Sequence, residues 1–148
     1  MQKLSMEDFQ LMGLLERITG AKANDVISDE NSLIFAVPDS EFGRAVGKKG
    51  ANIERLEHVF KKHVEIVKSP NSKEQFFGFL FSPVIPKELA EKEIDGKRTL
   101  DVVVETIDRG LAIGRNGERI KKAKMLGKRY FNYDDVRIVV KGGERIRI

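Results

Sequence analysis

Two four-residue stretches carry most of the chemistry this sequence can offer: Gly47-Lys48-Lys49-Gly50 and Gly114-Arg115-Asn116-Gly117. A G-x-x-G stretch between two helices makes a tight turn, because glycine adopts backbone conformations closed to other residues. Such a turn collects backbone N–H groups and the positive end of the next helix dipole at one exposed point, which suits a phosphate. Glycines without side chains also let a sugar-phosphate backbone come close to the peptide. Cations surround both stretches: Arg44, Lys48 and Lys49 at the first, and Arg109, Arg115, Arg119, Lys121 and Lys122 at the second. Val46 and Ile113 stand just before the first glycine, and Ile53 and Ile120 three residues after the second, where they can anchor the turn in a core. Neither stretch has the longer spacing or the Gly-Lys-Ser/Thr ending of a nucleotide-binding P-loop.

Other chemistry is poorly supported. His58 and His63 are the only histidines and the chain has no cysteine, so disulfides, thiolate catalysis and cysteine-based metal sites are excluded. No His-Glu-x-x-His segment, nucleophile elbow or paired carboxylate motif occurs. Neither an enzyme nor a cofactor is expected, and no metal site.

The elements that must hold the two turns are written twice. Leu33, Val37, Gly43, Ala45, Gly47, Gly50 and Ile53 recur as Leu100, Val104, Gly110, Ala112, Gly114, Gly117 and Ile120 at one constant offset, without a gap. Such self-similarity marks a duplicated structural unit. In the first copy, Phe9, Leu11, Met12, Leu14, Leu15 and Ile18 have helical spacing, and Gly20 follows as a stop. Residues 25–28 and 33–37 are predicted as a strand hairpin, followed by a short helix from Ser40, the first turn, a helix over 51–62 and a closing strand over 63–67. In the second copy, residues 91–94 and 99–104 are predicted strands about Asp95-Gly96, a dipeptide suited to tight hairpins. A helix over 107–113, the second turn, a helix over 118–128 and a strand over 136–140 complete it. Its opening helix is predicted to be shortened to Pro86-Lys87-Glu88-Leu89-Ala90. Residues 1–69 thus form the first domain, 70–75 a turn-rich linker and 76–148 the second domain. The aromatic run Phe76-Phe77-Gly78-Phe79-Leu80-Phe81 has two readings, stacking on bases or burial between the domains, and the lack of interleaved cations favours burial.

The chain has 148 residues, 41% hydrophobic and 34% charged, with a net charge of +4. It can build cores, though two half-length domains would each bury proportionally little surface. No apolar run reaches the length of a membrane span, and residues 1–8 lack the apolar core of a signal peptide, so a cytoplasmic protein without membrane contact is expected.

Val46-Gly47-Lys48-Lys49-Gly50-Ala51-Asn52-Ile53 and Ile113-Gly114-Arg115-Asn116-Gly117-Glu118-Arg119-Ile120 resemble the core signature of KH domains, and the element order resembles their type II form. The resemblance implies an α/β (α+β) fold of two tandem type II KH domains, each a three-stranded sheet with helices packed on one face. It also implies that each G-x-x-G turn clamps the backbone of about four single-stranded nucleotides, whose bases lie over an adjacent apolar groove. The residues carried over to RNA binding are Arg44, Gly47, Lys48, Lys49, Gly50 and Asn52, then Gly114, Arg115, Asn116, Gly117, Arg119 and Lys121. Two such copies over nearly the whole chain resemble the archaeal NusA-like transcription factors. That likeness implies a monomer with single-stranded RNA, and RNA polymerase or the transcription complex, as partners in elongation, termination or antitermination. Binding of ribosomal RNA, or a protein-interaction adaptor with degenerate KH folds, are the alternatives.

Overall fold

The computed structural model describes residues 4–140, and the chain divides into two compact units, one ending at Ser69 and the other beginning at Pro70. In the first, α1 (Met6–Thr19) starts at a reciprocal cap, with the Asp8 N–H donating to Ser5 Oγ at 3.0 Å and the Ser5 N–H to Asp8 Oδ2 at 2.9 Å. It ends at Gly20, whose φ of 80° lies in the left-handed region. Strands β1 (Asp25–Ser28) and β2 (Ser32–Val37) pair antiparallel, and β3 (His63–Lys68) runs parallel to β2, giving the order β1-β2-β3. Parallel neighbours cannot be joined by a hairpin, so the chain must cross over between them. Helices α2 (Asp39–Val46) and α3 (Ala51–Phe60) make that crossover, and the first G-x-x-G turn is the corner between them. Leu15, Val26, Leu33, Phe35, Ala45, Leu56, Val64 and Ile66 form the core under both helices, so the corner stands on packed residues.

The second unit has the same order. Helix α4 (Lys73–Phe81) is followed by β4 (Glu88–Ile94) and β5 (Lys97–Val104), a 3-10 turn leading into α5 (Arg109–Ile113), α6 (Glu118–Phe131) and β6 (Asp135–Val140). The sheet order is β4-β5-β6, with β4 and β5 antiparallel and β5 and β6 parallel. Asp95 and Gly96 close the hairpin with φ of 52° and 76°, the positive pair a tight two-residue turn requires.

Two expectations are corrected here. The opening helix of this unit is not the stretch from Pro86 to Ala90, since Glu88, Leu89 and Ala90 belong to β4. It is α4, built from the aromatic run, and Lys73, Glu74 and Gln75, expected in the linker, form its first turn. Ser72 caps it by accepting the Gln75 N–H at 3.1 Å. Phe76, Phe77, Leu80 and Phe81 are buried, and Phe76 meets Tyr130 and Phe131 with ring centroids 5.6 Å apart, all within the second unit. The buried rings of the run are therefore core of the second unit and not a platform for stacking on bases.

Tyr133 and Glu91 tie the helix to the sheet. Tyr133, 1% exposed, donates its hydroxyl to Glu91 Oε2 at 2.8 Å. Lys73 at 2.9 Å and Arg98 at 3.2 Å hold the same carboxylate. Hydrogen bonds from Lys73, then from Tyr133, keep the Glu91 carboxyl at about 2, well below its ordinary value. The Tyr133 hydroxyl is pushed upward by burial first and by the Glu91 charge beside it. No helix among the described residues is long and apolar enough to cross a membrane.

Candidate nucleic-acid interface

The two turns agree angle by angle. Gly47 has φ, ψ of 78°, 166° and Gly114 83°, 169°; Lys49 has 55°, 31° and Asn116 56°, 27°; Gly50 has 75°, 16° and Gly117 71°, 15°. Each turn closes on itself: the Gly47 N–H donates to the Gly43 carbonyl at 2.9 Å and the Gly50 N–H to the Gly47 carbonyl at 3.1 Å, and the matching bonds of Gly114 and Gly117 are both 3.0 Å. The second x position is left-handed in both copies. Asparagine tolerates that region better than lysine, so Asn116 suits its backbone while Lys49 carries a local cost in return for a cation.

The glycines have divided roles. A Cβ on Gly47 would lie 2.8 Å from the Asn52 backbone nitrogen, and one on Gly114 would lie 2.7 Å from the Arg119 Cβ. The first glycine is therefore required by the protein's own packing. A Cβ on Gly50 or Gly117 would meet nothing within 4 Å, so the second glycine leaves its face open. Gly114→Ala is expected to cost about 2–3 kcal/mol, since it adds a collision to a glycine-only conformation. Gly117→Ala is expected to cost only about 1–2 kcal/mol of left-handed strain. Chemical denaturation of the two variants gives the ranking, and equal losses would remove the division of roles.

The expected binding residues separate by partner. The side chains of Lys48, Lys49, Arg115, Asn116 and Lys121 are exposed and make no ion pair or hydrogen bond among the described residues. Arg44 is engaged: its Nη1 lies 3.3 Å from the Gly20 carbonyl oxygen and 3.4 Å from Glu41 Oε2. Asn52 donates Nδ2 to the Arg44 carbonyl at 2.8 Å, across the turn. Arg119 donates to the Ser82 carbonyl at 2.6 Å and the Leu80 carbonyl at 3.3 Å. Three of the eight side chains expected at the interface thus have structural employment that spacing alone did not reveal. Among the flanking cations, Lys62 reaches the Asp29 carbonyl at 2.8 Å, and Lys124 and Lys128 pair with Asp135 and Asp134 at 3.3 Å and 3.4 Å.

Ile107, 91% exposed, and Leu111, 52% exposed, were not anticipated in this role. They stand four residues apart in the 3-10 turn and in α5, the elements that lead into the second G-x-x-G turn. Ser40 and Arg44 occupy the corresponding places in the first copy. Their signal was available as helical spacing of apolar residues beside a cation. Exposed His63 lies between Glu57 at 3.1 Å and Glu65 at 3.3 Å. Among the described residues no group of three or more His, Cys, Asp or Glu could hold a metal ion.

A three-stranded mixed sheet with an opening helix and a two-helix crossover cornered by G-x-x-G, present twice, defines a tandem of type II KH modules. The KH domain family model matches residues 12–73. A relative described as "Probable transcription termination protein NusA" from Halococcus morrhuae is 31% identical over 127 residues, covering 86% of this chain and 91% of its own. The protein of the same description from Halobacterium salinarum is 31% identical over 136 residues, covering 92% and 97%. The crystal structure of APE1850 superposes with a TM-score of 0.84 at 31% identity, covering 91% of this chain and 99% of that one. The chain belongs to the archaeal NusA-like family of KH proteins. That membership makes it a binding factor and not an enzyme.

Proposed function

We propose that the chain holds single-stranded RNA across both G-x-x-G turns and acts on transcription, in elongation, termination or antitermination, in association with the transcription complex. The observation that carries this reading is the repeated turn, with the same backbone angles in both copies, an open second glycine, and cations at Lys48, Lys49 and Arg115 that have no partner among the described residues. KH turns of this kind grip about four nucleotides each, so both together would take a strand of about eight. Lys121, one turn along α6, adds a further cation for the backbone. Ile107 and Leu111 supply apolar surface for bases beside the second turn. The names of the relatives favour transcription termination as the setting. A single chain carries both clamps, which suits action as a monomer.

Salt dependence tests the clamp directly. Affinity for a single-stranded RNA should fall with a log-log slope near −0.7 for each phosphate contacted. A flat response, or equal affinity for duplex RNA, would remove the single-strand clamp.

A further inference from the structure

The two clamps are braced in different ways. At the second residue of α3, Asn52 fills the space over Gly47 and donates Nδ2 to the Arg44 carbonyl at 2.8 Å, so the first clamp is tied to its own preceding helix. The corresponding residue of α6 is Arg119. Its Cβ fills the space over Gly114, and its guanidinium reaches out of the clamp to the Ser82 carbonyl at 2.6 Å and the Leu80 carbonyl at 3.3 Å. Those carbonyls lie at the C-terminal end of α4, where the last carbonyls of a helix lack intrahelical donors and a cation is favoured by the helix dipole. One planar guanidinium can serve two carbonyls at once, which a lysine ammonium does less well.

We infer that Arg119 is a positioning residue: it holds the second G-x-x-G turn against the end of α4 and contacts no phosphate itself. Because a preorganised site binds more tightly than one that must be ordered on binding, loosening this brace lowers RNA affinity without removing a backbone contact. The inference rests on the RNA-clamp reading for its effect on affinity, and on the geometry alone for its effect on the turn.

The test uses the full chain with Arg119→Ala and Arg119→Lys, read by RNA affinity, salt slope and amide hydrogen exchange. The expected result for both variants is a roughly three- to tenfold weaker affinity, because the freed side chain and turn must be ordered on binding. The salt slope should stay at the parent value, and exchange at residues 115–118 should be faster while residues 48–51 stay unchanged. Arg119→Lys keeps the charge and the aliphatic stem, so it provides the measurement if the alanine variant does not fold. A slope reduced by about 0.7 in Arg119→Ala and restored in Arg119→Lys would make Arg119 a phosphate contact and overturn the inference. Unchanged exchange at residues 115–118 would overturn it as well. A parent chain that binds no RNA would defeat the functional reading, while the exchange data would still decide the brace.

Discussion

Exchanging Lys48, Lys49, Arg115 and Asn116 together for aspartate is expected to weaken single-stranded RNA binding by at least about 100-fold, close to 3 kcal/mol, while leaving the fold intact. The four side chains are exposed and have no partner among the described residues, so the folded state loses no contact with them. Substitutions of that kind usually stay within about 0.5 kcal/mol each. Lys49 and Asn116 have left-handed backbones, a region where aspartate is among the better tolerated residues. The effect on an anion is the opposite of neutral. Each new carboxylate about 4 Å from a phosphate is repelled by roughly 1 kcal/mol in water and about 4 kcal/mol at the effective dielectric of a protein surface. The Lys48/Lys49 pair and the Arg115/Asn116 pair should each be damaging alone if one strand spans both clamps, because two linked sites contribute more than either does separately. Fluorescence anisotropy on a labelled RNA, with circular dichroism as the folding control, measures both. A folded fourfold variant that binds like the parent defeats the clamp.

The turns were legible in the sequence because their requirement is local. Glycines at fixed spacing with apolar flanks impose the same backbone wherever they stand, and the same angles appear in both copies. Helix α1 was legible from its spacing and its glycine stop. Helix α4 was not, since Phe76, Phe77, Phe79, Leu80 and Phe81 leave no clear apolar period: all but Phe79 are buried. Its cap was nevertheless written in Ser72 and Gln75, a start signal overshadowed by the turn-like residues around it. The employment of Arg119 could not be read at all, because its acceptors lie at Leu80 and Ser82 and become neighbours only when α4 packs beside α6. Asn52 presents the same difficulty at shorter range. A polar residue beside a G-x-x-G turn has the same appearance in sequence whether it faces outward or braces the loop.

Asp101 posed that problem inside a strand. It interrupts the apolar run Leu100-Asp101-Val102, and strand alternation turns it to the face opposite those neighbours. Its partner became visible only through the register that sets it beside Arg137 of β6. The Asp101 side chain is 1% exposed, and Arg137 grips it with two bonds, Nε to Oδ1 at 2.7 Å and Nη2 to Oδ2 at 2.8 Å, with Lys92 Nζ 3.0 Å from Oδ2. Arg137→Leu is expected to destabilise the chain by about 3 kcal/mol, the lower end for breaking a buried pair, because Lys92 remains as a half-exposed partner. Asp101→Leu combined with Arg137→Leu should recover most of that loss, since replacing both partners leaves no buried charge. The pH dependence separates this from simple loss of packing. Burial alone would raise the Asp101 carboxyl, but hydrogen bonds from Arg137 and Lys92 prevail and hold it below its ordinary value. In the parent its contribution is therefore complete above about pH 4 and is lost as pH falls through the lower folded value. In Arg137→Leu burial has less opposition, so protonation relieves the strain. The stability gap between parent and variant, measured by chemical denaturation, should narrow as pH falls below about 4. A gap that stays constant would assign the loss to packing rather than to the unpaired charge.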